Sequence, residues 1–255
     1  MQLTLLVGTL FAFSAAGVYA YLALRLQRRV IASVQARLAW RLFIVWWCGL
    51  AGTTAISGII NTLAVTGVAS LPLYVTLTYI NVFIICAALW GLLYYLLYLF
   101  TGSDKPLLPL GVFYTGYFLL LIYWIAAAEP ISIEVTKWSA KLAYQQSPTG
   151  PFFALILTLL VFPQIFAGLA YFTLFFRVKD FTQKYRILLV SWSVIIWFGA
   201  AYAASISAVA TQDWWQLLSR LIGLVAALCI LAAYNPPSFI KHRYGVLSLG
   251  EESFA

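Results

Sequence analysis

The chain alternates between long apolar runs and short polar connections. Seven runs are long enough to cross a bilayer, because a helix needs about 20 residues to span a hydrocarbon core of roughly 30 Å. They occupy residues 3–24, 42–65, 73–100, 107–128, 152–176, 187–210 and 214–234. The pattern predicts an all-α, polytopic membrane protein. Residues 1–245 form one bundle of seven transmembrane helices, and residues 246–255 form a short tail.

Positive charges fall on one side of this predicted bundle. Of the 15 lysines and arginines, 12 lie in the first, third and fifth connections and the C-terminal tail. Because such residues collect on the cytoplasmic side, we expect the N-terminus outside and the C-terminus in the cytoplasm. This topology accounts for the net charge of +8. We therefore expect the lipid bilayer as a partner and do not expect nucleic acid.

The composition narrows the range of possible functions. Hydrophobic residues make up 64% of the chain and charged residues 9%, against about 25% charged residues in soluble domains. We therefore expect the membrane domain to use the whole length. The single histidine, His242, follows the last run, and no run has an Asp or Glu at its centre. This disfavours haem, a metal site and catalysis, so we expect a protein that is not an enzyme.

The segment 129–151 is the longest connection on the predicted outer side. Ile131, Val135, Trp138 and Leu142 follow the spacing of one helical face. We predict a short amphipathic helix that lies either on the membrane surface or as a lid over the mouth of the bundle.

Polar side chains recur within five of the seven runs, between mid-depth and the predicted outer end. The candidates for a ligand-binding site are Ser57, Asn61, Tyr74, Thr78, Asn81, Gln164, Tyr202 and Arg220. One interpretation is hydrogen bonding between helices, typically worth about 0.6 kcal/mol for each pair. The other is an outward-facing polar pocket. Arg220 would then bind an anionic group, whereas in the first interpretation it reaches to the interface.

The size and predicted topology of the bundle resemble those of the microbial rhodopsins. A retinal protein needs a lysine in its seventh helix for the Schiff base. The six lysines all lie outside the apolar runs, so covalent retinal is excluded. The deep tryptophans Trp90, Trp192 and Trp197 allow instead for a bound lipid, quinone or other hydrophobic molecule.

Three segments resemble the seven-helix membrane sensor region of bacterial histidine kinases. They are the arginine-rich first connection and residues 185–198 and 232–245. The resemblance implies a sensor in a bacterial or archaeal plasma membrane. Because the chain ends at Ala255 without a kinase, we expect it to act through a partner protein at its basic loops or in the membrane.

Three functional hypotheses follow. The first is a receptor-like or sensor-like protein that binds a small apolar or amphiphilic ligand in its outer half. The second is a non-catalytic accessory or structural subunit of a larger membrane complex. The third is a small-molecule transporter, because Pro163–Gln164 resembles the Pro-Gln motif of sweet-type transporters, although the first run lacks the second copy that those families carry.

Overall fold

The structure, a computed structural model, describes residues 2–28, 33–145, 162–209 and 214–246. It describes the side chains at all these positions except 2, 163–164, 198–209 and 214–216. The elements in these ranges are α1 (Gln2–Gln27), α2 (Val34–Thr66), α3 (Leu71–Thr101), α4 (Leu107–Ala127), β1 (Pro130–Val135), β2 (Ala140–Tyr144), α5 (Phe162–Arg177), α6 (Phe181–Val209), α7 (Trp214–Tyr234) and α8 (Ser238–Tyr244).

The long apolar helices make this an integral membrane protein. Five segments have the length and hydropathy to cross a bilayer: α1, α2, α3, α4 and Leu217–Tyr234 of α7. The prediction of a helical membrane bundle is therefore confirmed at this level. The full count of seven spans and the orientation of the chain stay predictions.

Helix α2 begins well before its predicted apolar run. Ser33 supplies the N-cap, and its hydroxyl accepts a hydrogen bond from the backbone N–H of Ala36 at 3.4 Å. Arg37 and Arg41 therefore lie on the first turns of α2 rather than in a loop, and both are exposed. The basic connection between the first two helices is correspondingly shorter than predicted.

Six helices pack in a ring in the order α1, α2, α3, α5, α6 and α7, and α7 closes the ring against α1. Helix α4 packs against α3 from outside this ring. The core of the ring is rich in aromatic residues, and Trp46, Trp47 and Tyr19 are fully buried within it. Ring contacts such as Trp46 with Trp197, at 5.7 Å between centroids, join neighbouring parts of this core.

The prediction of an amphipathic helix after residue 129 is wrong, because residues 130–144 form an antiparallel β-hairpin. Its side chains alternate: Ile133 and Val135 turn inward, as do Ala140 and Leu142 on the facing strand. The β-branched residues around Glu134 favour a strand, and a turn closes where Thr136 donates its N–H to the Ser139 carbonyl at 2.8 Å. Glu134 and Lys141, paired across the strands, form an ion pair at 3.5 Å.

Candidate functional site

The inner face of α2 changes character along its length. Trp46 and Leu50 are fully buried in the aromatic core. Thr53, Ser57 and Asn61 continue the same face at three- and four-residue spacing toward the β-hairpin. The bundle interior is therefore aromatic toward the end where Arg37 and Arg41 begin α2, which we call the basic end, and polar toward the hairpin. We call the polar part of the interior the hairpin-end site.

Asn61 joins α2 to the β-hairpin. The side chain is 0% exposed, and its Oδ1 accepts a hydrogen bond from the backbone N–H of Ala140 at 3.0 Å. Its Nδ2 has no hydrogen-bond partner in the part of the chain that the structure describes. Asn61 thus uses only one of its two polar side-chain atoms, Oδ1, to hold the hairpin over the end of the bundle.

Tyr74 supports the same end of the bundle from α3. It is buried against Ala140 and Leu142 of the hairpin, and its hydroxyl donates to the carbonyl of Ile60. The hydroxyl of Thr78 donates to the carbonyl of Tyr74 at 2.8 Å, within its own helix. Both hydroxyls are satisfied by backbone, so Tyr74 and Thr78 shape the site rather than present free donors to it.

Asn81 and Thr53 lie at the same level of the α2–α3 pair. The two helices are antiparallel, with Gly52 against Ile84 and, nearer the hairpin, Ile60 bonded to Tyr74. Thr53 and Asn81 both lie between these two contacts. Among the described residues, neither Oδ1 of Asn81 nor Oγ1 of Thr53 has a hydrogen-bond partner, although both atoms are buried. Ser57, one turn nearer the hairpin, is half-buried.

Arg220 brings α7, α1 and the hairpin together. Its Nη1 donates to the carbonyl of Gly8 at 2.9 Å. A Cβ at Gly8 would lie 2.8 Å from the carbonyl oxygen of Trp138 in the hairpin turn, so this close approach requires glycine. No carboxylate of the described residues, that of Glu129 included, lies within 4.0 Å of the guanidinium.

The hairpin also changes the chemistry of one phenol outside the membrane-spanning segments. Burial raises the pKa of Tyr144, and the neighbouring phenol of Tyr79 raises it further. Tyr144 therefore stays neutral under ordinary conditions. The described charges at this end are Arg220, Glu129, Lys137 and the ion pair formed by Lys141 and Glu134.

The structure brings together most of the predicted site residues. Ser57, Asn61, Tyr74, Thr78 and Asn81 lie along two adjacent helices toward the hairpin end. Arg220 reaches the same end through Gly8. The backbone of Gln164 lies in α5 and that of Tyr202 in α6, but their side chains lie outside the described residues.

Sequence reasoning missed the junction of Gly8, Trp138 and Arg220. The one feature of the sequence that pointed to it is Trp138, in the segment for which we predict a helix.

The described residues contain no group of three His, Cys, Asp or Glu side chains placed to hold a metal ion. No protein-family model matches the chain, and no curated protein matches its sequence.

Proposed function

We propose that this integral membrane protein is a receptor-like or sensor-like protein. It binds a small amphiphilic ligand in the hairpin-end site and acts through a partner at its basic end. The apolar part of the ligand lies between the helices, and its polar head is held near Asn81 and Arg220. In this proposal the hairpin end faces outward and the basic end faces the cytoplasm, as the distribution of lysine and arginine favours.

The unpaired polar atoms carry this proposal. Thr53 Oγ1, Asn61 Nδ2 and Asn81 Oδ1 are all buried without a hydrogen-bond partner among the described residues. Leaving one such group unpaired costs about 1–3 kcal/mol, and native structures hold few of them. These three lie on two adjacent helices toward the hairpin, where a ligand would supply their partners.

Arg220 supports an amphiphile rather than a wholly apolar ligand. A cation in a membrane span costs about 2.5–3.5 kcal/mol at the centre of the bilayer and less near the interface. Within the described part of the chain, Arg220 makes one hydrogen bond, to Gly8, which leaves most of its five guanidinium N–H donors open. A carboxylate or phosphate headgroup would pair with these donors and offset that cost.

The proposal is tested by thermal unfolding of the purified protein in phosphatidylcholine nanodiscs against a panel of fatty acids, fatty alcohols, lysophospholipids and phospholipids. The variants are Thr53→Val and Asn81→Leu, which remove unpaired polar atoms while keeping similar volume. We expect both to be at least as stable as the wild type without ligand, and to lose the ligand-induced rise in Tm. Arg220→Leu should abolish the preference for acids over alcohols.

Thr62→Val is the matched control, since Thr62 lies on the exposed side of α2 and bonds its own helix. It should keep the full ligand response. A wild-type protein that responds to no member of the panel would contradict the proposal, as would a full response in the Thr53 and Asn81 variants.

A further inference from the structure

At the basic end of the bundle, helix α8 contacts the start of α6. Helix α5 ends at Arg177 and α6 begins at Phe181, so only three residues connect the two helices. Tyr244, the last residue of α8, stacks on the ring of Phe181 with 5.3 Å between the centroids. This contact joins two segments that are far apart in the chain into one continuous surface.

Four basic side chains lie on this surface, which we call the α6–α8 patch: Arg177, Lys179, Lys184 and Arg243. Lys184 is half-buried and the other three are exposed. Lys184 Nζ lies 5.6 Å from the centre of the Phe175 ring, and Arg243 Cζ lies 5.6 Å from that of Tyr244. Such contacts position a cation beside a ring without neutralising its charge, so the patch stays positive.

The patch lacks an ion-pair partner in the part of the chain that the structure describes. No described carboxylate lies within 4.0 Å of any of its four cations. Asp180, the acidic residue between Lys179 and Phe181, instead caps α6, because its Oδ2 accepts a hydrogen bond from the N–H of Gln183 at 2.8 Å. Four cations beside one committed carboxylate favour an anionic partner.

Exposed aromatic rings lie next to these cations. Phe176 is 74% exposed, Phe239 66% and Phe181 48%. The membrane-spanning part of α7 ends at Tyr234 and α8 begins at Ser238, so α8 lies where the chain leaves the hydrocarbon core. Exposed rings beside cations at this level are typical of a surface that contacts lipid headgroups and the upper part of the acyl chains. The acidic surface of a soluble protein would match the charges but not the rings.

We propose that the α6–α8 patch binds anionic phospholipids of the surrounding bilayer. The cations pair with the phosphate of the headgroup, and the exposed rings lie beside the upper part of the acyl chains. A lipid without net charge also carries a phosphate, but its headgroup cation opposes the positive patch. The proposal does not depend on a ligand in the hairpin-end site.

The test compares dioleoylphosphatidylglycerol with dioleoylphosphatidylcholine, which has the same acyl chains and no net charge. The purified wild-type protein is titrated with each lipid in detergent at about 0.15 M salt, and the rise in Tm gives the apparent affinity. We expect phosphatidylglycerol to bind at least about tenfold more tightly. Salt at about 1 M should remove most of this preference, because it screens exposed charges beyond about 3 Å.

Lys179→Gln/Arg243→Gln removes two charges from exposed positions of the patch. Each cation near a membrane surface accounts for about a fivefold change in affinity, so the double variant should weaken phosphatidylglycerol binding about 20- to 30-fold. The matched control is Arg41→Gln/Lys105→Gln, which removes the same charge from exposed positions on α2 and on the connection between α3 and α4. It should stay within about twofold of the wild type, because charges beyond a Debye length are screened.

A second pair of variants tests whether α8 must be held against α6. Tyr244→Ala removes the ring that stacks on Phe181 but no charge. It should weaken phosphatidylglycerol binding about fivefold, as the loss of Arg243 from the patch would. Phe239→Ala, which removes another exposed ring of α8, should weaken both lipids equally and keep the preference.

Three results would overturn the proposal. The first is an equal response of the wild type to both lipids, and the second is an equal loss in the patch and control double variants. The third is binding of poly-L-glutamate that the patch variant loses and phosphatidylglycerol does not displace, since the patch would then hold an acidic protein. Arg220→Leu should keep the preference for phosphatidylglycerol, and its loss there would place the lipid in the hairpin-end site instead.

Discussion

Helix α3 has two neighbours, and it meets them in opposite ways. Toward α2 it presents Ala88 and Gly91, which lie directly against Gly49 and the backbone carbonyl of Leu42. Toward α4 it presents Phe83 and Trp90, and a groove remains between the helices. The same helix is thus close-packed on one side and loosely packed on the other.

The difference follows from side-chain size rather than from hydrophobicity. Association between membrane helices gains little from the hydrophobic effect, so it depends on close van der Waals packing. Small residues on α2 and α3 let the two backbones approach. Large rings on α3 meet α4 instead: Phe83 contacts the ring of Phe118, Trp90 lies beside Gly111, and a groove remains between the two helices around these contacts. The contrast can be tested by exchanging small and large residues on the two sides.

The largest expected effect is at the close-packed side. In Gly91→Leu, even the Cβ would overlap the carbonyl oxygen of Leu42, and a backbone atom of α2 can move only if the whole helix shifts. We expect a loss of about 3 kcal/mol or more, the upper end of overpacking, seen as a fall in Tm and in folded yield. Gly111→Leu adds the same side chain on the α4 side and should lose less than about 1 kcal/mol. Equal losses would contradict the contrast.

A smaller effect is expected at the neighbouring contact between α2 and α3, where Gly49 meets Ala88. In Gly49→Ala the added methyl group would overlap the Cβ of Ala88, so the helices must separate slightly. We expect a loss of about 1–3 kcal/mol in thermal or denaturant unfolding. Adding Ala88→Gly removes the opposing methyl group and should restore most of the stability, because contacting residues are coupled. Additive losses in the double variant would show that the two positions do not share one contact.

These contacts also show what the sequence can reveal. The apolar runs predicted the helices because the length and hydropathy of a membrane span are properties of one segment. The hairpin was missed because Ile131, Val135, Trp138 and Leu142 fit one helical face. The strands instead turn Ile133 and Val135 inward, and the turn at Thr136 ends the first strand. Which small residues touch depends on how the helices pair. Gly49 and Gly91 are therefore indistinguishable by sequence from Gly116, where an added Cβ meets nothing.

The candidate site was predictable in part for the same reason. The spacing of Ser57 and Asn61 places them on one face of α2, which the structure bears out as a shared inner face. The bond of Asn61 to the hairpin and that of Arg220 to Gly8 join residues far apart in the chain. Periodicity within a run carries no information about such partners.

On the loosely packed side, the main polar tie between α3 and α4 in the described residues is the bond from Trp90 Nε1 to the Leu107 carbonyl. Trp90→Phe keeps an aromatic ring but removes this donor, and we expect a loss of about 0.5–1.5 kcal/mol in thermal unfolding. Trp192→Phe, at a half-exposed position on α6, should change stability by less. A loss above about 3 kcal/mol would mean that α4 depends on this contact far more than the open groove indicates.

The smallest effect is also the one with the opposite sign. Gly111 sits inside α4 with an ordinary helical conformation, and an added Cβ would lie 3.6 Å from the Trp90 ring, which is a normal contact. Gly111→Ala therefore removes backbone freedom from the unfolded chain without overlap, and it should stabilise the protein by about 0.5–1 kcal/mol. The measurement is Tm in detergent, which should rise in Gly111→Ala. It should fall in Gly91→Ala, the same substitution on the side of α3 that packs against α2. A fall in Tm for both variants would show that α4 is packed as closely as α2, and the two sides of α3 would no longer differ.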